Sequence, residues 1–167
     1  MFFKEDTFER AVLEIFEGLG YIHIYGPDLE RDYSSPLLES VLQESLLRIN
    51  RGLPAGAITE ALAKLKDFGS GSLLQKNMAF MEYLQNGVPV RYFIEGKERN
   101  SIVYLIDYQN VNRNDFHAVN QFTYIENGNQ RRPDIVLFIN GLPLVLIELK
   151  SPSKDEVGAE NAFHQIR

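Results

Sequence analysis

Apolar positions in the first half of the chain recur at helical intervals. In DTFERAVLEIFEGLGY, residues Phe8, Ala11, Val12, Ile15, Phe16 and Leu19 fall on one face, which predicts a helix from position 6 to Gly18 or Gly20. Asp6 as N-cap with Glu9 three residues on reads as a capping box. The alternating, β-rich YIHIY at 21–25 predicts a short strand closed by Gly26-Pro27. Amphipathic stretches at 36–50 and 57–68 predict two more helices, the first with Pro36 in its opening turn and broken by Arg51-Gly52-Leu53-Pro54. GSGS at 69–72 reads as a flexible joint, and a fourth helix at 73–84 stops at Asn86-Gly87. After Gly87 the pattern turns extended, with strands at 90–93, 101–108 and 117–125 and a turn near Gly96. Helical signals return at about 157, after a loop at 151–156.

Between these lies RRPDIVLFINGLPLVLIELK at 131–150, two apolar strands joined at Asn140-Gly141. Residues 135–139 and 144–147 are apolar on both parities, so the hairpin is expected to be central and covered on both faces. The order helix, strand, helices, strands, hairpin, helix predicts an α/β fold, a central mixed sheet flanked by helices. At 167 residues, with no repeat and no long linker, a single domain over 1–167 is expected.

Composition changes this picture little. Apolar residues make up 44% and charged residues 24%, an ordinary globular balance. No apolar run reaches the roughly 18 residues of a membrane span, and MFFKEDTFER is a poor secretory signal. There is no cysteine, which excludes disulfides and thiolate metal sites. A cytoplasmic location and no membrane partner are therefore expected. The net charge of −6 speaks against a broad non-specific nucleic-acid footprint. It leaves room for a DNA enzyme, because metal-holding carboxylates count as negative until a cation reverses the local field.

The candidate chemistry gathers at the hairpin. Asp134 follows Pro133, and the second strand closes on Glu148-Leu149-Lys150. Glu148 and Lys150, two apart on a strand, share a face. Asp134 and Glu148 offer hard oxygen ligands suited to Mg²⁺, and Lys150 can orient or deprotonate a water or stabilise a phosphorane-like transition state. Parity tests this reading. A strict two-residue turn at Asn140-Gly141 would pair Asp134 with Ile147 and turn it away from Glu148, so a shared ion requires a one-residue shift. Pro143 lacks the N–H of a continued ladder, and an irregularity is expected at 140–143.

Glu9 is both a possible site acid and a possible helix cap. Gln165, on the final predicted helix, and Arg131 and Arg132 are candidate DNA contacts, though each also fits a solvated surface. His23, His117 and His164 show no ligand spacing and read as structural. The absence of GxxxxGK means that this chain has no ATP-cradling loop of its own. Lys150 merely paired with an acid in a structural α/β domain is the blandest alternative.

The run NQFTYIENGNQRRPDIVLFINGLPLVLIELKSP closely resembles the nuclease region of the restriction (motor) subunit of type I restriction–modification enzymes, within the PD-(D/E)xK nuclease superfamily. TFERAVLEIFEGLGY is similar to that family's opening helix, and LLRIN, LPAGAITEAL, NGVPV and LIDYQNVNRNDF to its intervening segments. The resemblance implies a PD-(D/E)xK core with Asp134 and Glu148 as metal ligands, Lys150 as the catalytic lysine and Glu9 as the auxiliary acid. Gln165 matches the glutamine of a Q-x-x-x-Y element whose tyrosine would fall two residues past the end. It further implies Mg²⁺, with Mn²⁺ as a substitute, and double-stranded DNA as substrate. ATP would be needed only by the full subunit, of which this chain is expected to be an N-terminal fragment lacking the translocase domains. Specificity and methyltransferase subunits are the implied partners. A stand-alone repair or junction nuclease of the same superfamily, and a catalytically silent DNA-binding or docking module, are the alternatives.

Overall fold

The computed structural model describes residues 5–150. In chain order the elements are α1 (Glu5–Gly18), β1 (Ile22–Tyr25), α2 (Glu39–Ile49), α3 (Ala55–Lys66), α4 (Leu73–Asn86), β2 (Val88–Ile94), β3 (Lys97–Val103), β4 (Phe116–Asn120), β5 (Tyr124–Glu126), β6 (Asn129–Arg131), β7 (Ile135–Ile139) and β8 (Leu142–Ile147). The protein is α/β, as expected, with a mixed sheet and helices. The loop and helix expected from 151 onwards lie outside the described residues. None of the described helices is long and apolar enough to cross a membrane.

Two compact units result, one from the segments up to Leu38 and from Phe116 on, the other from Glu39–Asp115. The first holds a four-stranded sheet in the order β1-β4-β7-β8, with β1 parallel to β4 and the other pairs antiparallel. Leu13 of α1 packs on Ala118, Ile135 and Leu137, and Val12, Phe16, Tyr21, Ile147 and Leu149 close around them. This corrects the expected helix face: Phe8, Ile15 and Leu19 are exposed, and the inward stripe runs Glu9, Val12, Leu13, Phe16. The stripe keeps the i, i+3, i+4, i+7 rule but is narrower and rotated, because only one face of a helix can meet a sheet. Asp6 falls inside α1 and not at its cap, so the capping-box reading of Glu9 fails.

The hairpin is also only half as central as expected. β7 is internal and buried along nearly its whole length, whereas β8 is the outer strand among the described residues, with Val145 and Leu146 exposed. Apolar runs on both parities did not distinguish the two. A second small hairpin, β5–β6, escaped the sequence reading. Its Asn127-Gly128 turn has positive φ at both residues (50° and 77°), the type that tight hairpins favour. The expected strand at 117–125 is broken by Gln121, whose φ of 54° ends β4.

In the second unit, Leu42, Leu46, Ala57, Ile58, Ala61 and Leu65 are buried along α2 and α3, and Val88, Val90 and Val103 in the β2–β3 hairpin. β3 ends at Val103, and the side-chain amide of Asn50 takes over both backbone groups of Tyr104 at 2.8 and 2.9 Å. A strand lasting to 108, as alternation suggested, is stopped by this side-chain substitute for a ladder. Ser72, within the expected joint, caps α4 in a capping box with Gln75.

Candidate active site

The hairpin turn itself is regular: Asn140 (φ 53°) and Gly141 (φ 81°) take the left-handed conformations of a two-residue turn, pairing Ile139 with Leu142 and Phe138 with Pro143. The register then slips. Leu137 pairs with Val145, Val136 with Leu146 and Ile135 with Ile147, leaving Leu144 as the extra residue of a bulge. The expected shift of one residue is present, but it falls just beyond the 140–143 window. Pro143, having no N–H, is where the ladder lets go. Carried one step further, the shifted register sets Asp134 opposite Glu148.

Local contacts agree with that register. Oδ2 of Asp134 accepts the backbone N–H of Leu149 at 2.6 Å. Leu149 packs into the core beneath α1, so Glu148 and Lys150 belong to the other parity. Burial pushes the Glu148 carboxyl above the usual range, the nearby Asp134 carboxylate and a hydrogen bond with it push the same way, and Lys150 opposes them. Asp134, Glu148 and Lys150, all half-buried, are thus brought together. Among the described residues, no group of three or more histidine, cysteine, aspartate or glutamate side chains is poised to hold a metal. Two like charges in one site, with oxygen donors only, nonetheless fit Mg²⁺, which commonly takes one or two carboxylates and keeps several waters.

Glu9 projects from α1 to the end of β4. Its two oxygens accept hydrogen bonds from Asn120 Nδ2 at 2.7 Å and Gln121 Nε2 at 2.8 Å. The backbone N–H of Gln121 donates to the backbone carbonyl of Asp134 at 2.9 Å, so one residue links the Glu9 carboxylate to the Asp134 backbone. A carboxylate only accepts, so Asn120 must present its NH₂ to Glu9 and its carbonyl to His23, whose Nε2 donates at 2.9 Å. That makes Nε2 the donor nitrogen of His23, with Nδ1 3.8 Å from Glu17. Glu9, Glu14, Glu17, His23, Asn120 and Gln121 line an open cleft of about 610 Å³.

Of the other expected residues, half-buried Arg131 ends β6 opposite Tyr124, and Arg132 is exposed. Gln165 lies outside the described residues. Tyr124 was missed: burial raises its hydroxyl pKa, Glu126 and Glu148 add to this, and Arg131 works against them. Asn120 and Gln121 were missed too, although two amides closing an apolar strand at FHAVNQ are an available signal.

Residues 2–167 match the family described as type I restriction enzyme R protein N terminus. The endonuclease subunit of the type I restriction enzyme HindI from Haemophilus influenzae is 32% identical, over 98% of this chain and 16% of its own length. The putative type I restriction enzyme MjaIXP endonuclease subunit of Methanocaldococcus jannaschii is 31% identical, over 93% of this chain and 16% of its own. The chain therefore spans about a sixth of the length of these curated relatives. With a family match over nearly every residue and relatives aligned across almost its full extent, the chain belongs to the type I restriction enzyme R protein N-terminus family.

Proposed function

We propose that this chain is the Mg²⁺-dependent endonuclease module of a type I restriction enzyme and cuts double-stranded DNA through a PD-(D/E)xK-type core. The observation that carries the reading is the bulge at Leu144, which turns Asp134 toward Glu148 at the end of the hairpin. A sheet with no such slip would separate the two acids onto opposite faces.

In this reading Asp134 and Glu148 hold the cation, with Asp134 steadied by the Leu149 N–H. Bound there, Mg²⁺ (or Mn²⁺) supplies Lewis acidity to a phosphate oxygen and lowers the pKa of a water. Lys150 orients the attacking water or offsets charge building on the phosphate. Glu9 acts from the flank as an auxiliary acid that positions water. Arg131 and Arg132 contact the DNA backbone, and Gln165 serves beside the site.

The remaining five-sixths of such a subunit would carry the ATP-driven translocation that this chain has no motif for, and specificity and methyltransferase subunits would supply target choice. The complex would work in the cytoplasm. The test uses the full-length subunit assembled with its partners. Asp134→Ala, Glu148→Ala or Lys150→Ala is expected to lower Mg²⁺-dependent cleavage by about 100-fold or more, while ATP hydrolysis stays near wild type. ATPase activity lost in parallel with cleavage would overturn the assignment.

A further inference from the structure

We infer that Gln121, with Asn120 beside it, is a positioning residue that clamps the Glu9 carboxylate and ties it, through its own N–H, to the Asp134 backbone, so that the nuclease reaction proposed above depends on an amide pair at the end of β4. The inference rests on that nuclease reading and adds residues that neither the sequence motifs nor the family match assign.

The clamp is built from neutral donors. Each oxygen of Glu9 takes one amide hydrogen, at 2.7 and 2.8 Å. An ionised carboxylate has about four acceptor positions, so roughly half remain for water. Amides, unlike a guanidinium or ammonium, fix the direction of the group without cancelling its charge. The direction of the Glu9 carboxylate is thereby fixed, with its remaining acceptor positions open to water.

Gln121 does this from a backbone conformation that glutamine does not favour. Its φ is 54°, left-handed, where asparagine and glycine are the easier occupants. The conformation turns its N–H onto the Asp134 carbonyl at 2.9 Å while its side chain reaches Glu9. Gly26 holds the bend from below: a Cβ there would stand 2.7 Å from the Asn120 carbonyl oxygen and 2.8 Å from that of Gln121. Asparagine would adopt the bend at less cost, but its side chain is one methylene short of Glu9. Asn120 is steadied in turn by His23, so the two amides do not swing freely.

The substitution Gln121→Asn separates the two possible roles. It keeps the left-handed bend and the N–H to Asp134 but gives up the bond to Glu9. In the full-length subunit within its complex, Gln121→Asn is expected to reduce the DNA cleavage rate by about tenfold or more, with ATP hydrolysis and the melting temperature near wild type. Introduced into a Glu9→Ala background, it is expected to cost nothing further, because the clamp then has nothing to hold. Gln121→Gly, which relieves the bend altogether, should behave like Gln121→Asn. Wild-type cleavage by Gln121→Asn, or an undiminished extra loss in the Glu9→Ala background, would overturn the inference. Asp134→Ala in the same assay keeps the two readings apart: cleavage surviving that change would refute the nuclease site itself, whatever Gln121 does.

Discussion

At the residue scale the site holds two acids that lie too close for comfort. Burial first, and then Asp134, raises the Glu148 carboxyl above the ordinary carboxylate range. A raised folded-state pKa means that the fold binds the Glu148 proton more tightly than the unfolded chain does. Its contribution to stability is full below the unfolded value and is lost as pH rises through the folded one. A cation needs the ionised form, so Mg²⁺ should bind more weakly as pH falls into that same window. Thermal melts with and without Mg²⁺ are expected to diverge toward neutral pH and converge at acid pH; a pH-independent shift would contradict the shared site. Asp134→Asn removes the second-largest cause, and NMR titration of Glu148 should then show its pKa falling back toward the usual range.

At the element scale, what matters is how ends of strands are finished. Leu144 is the extra residue that shifts the partner of Asp134 from Ile147 to Glu148, and its deletion should leave a simple ladder that keeps Asp134 opposite Glu148 and preserves Mg²⁺-induced stabilisation. Loss of the nuclear Overhauser contacts between 134 and 148 after the deletion would refute this. Gly26 is the second such device. Gly26→Ala would drive a methyl into the carbonyls of Asn120 and Gln121 and should cost about 1–3 kcal/mol of stability, read as a lowered melting temperature. The existence of the hairpin and its Asn140-Gly141 turn were legible, since apolar runs flanking Asn-Gly are a local signal. Which strand of the hairpin lies inside was not, because that depends on β4 pairing with β7, a contact between distant segments. The helix face of α1 was misread for the same reason: four of the six positions chosen by periodicity are exposed, and Leu13 was overlooked.

At the scale of the whole molecule, the charge of −6 and the span of about a sixth of the relatives point the same way. An acidic chain releases few counterions from DNA, so in the proposed role most of the non-specific affinity would come from the rest of the subunit. Purified 1–167 is expected to bind duplex DNA at least about tenfold more weakly than the full subunit at physiological salt, and to nick it poorly even with Mg²⁺. Fluorescence anisotropy and a plasmid nicking assay measure both. Efficient metal-dependent nicking by 1–167 would show that the module carries its own binding surface.

The amino-acid order alone determined the four helices among the described residues, the hairpin, Asp134 and Glu148-Leu149-Lys150 as candidates, and the need for a register slip if those residues are to meet. Each depends on local period, turn chemistry or simple parity. Only the tertiary structure decided where the slip lies, that β8 takes the outer position among the described residues, and that Glu9, open to either a site or a cap role in the sequence, accepts from Asn120 and Gln121. The last of these joins residues more than a hundred positions apart, and short-range patterns hold no record of which distant partner will satisfy a carboxylate.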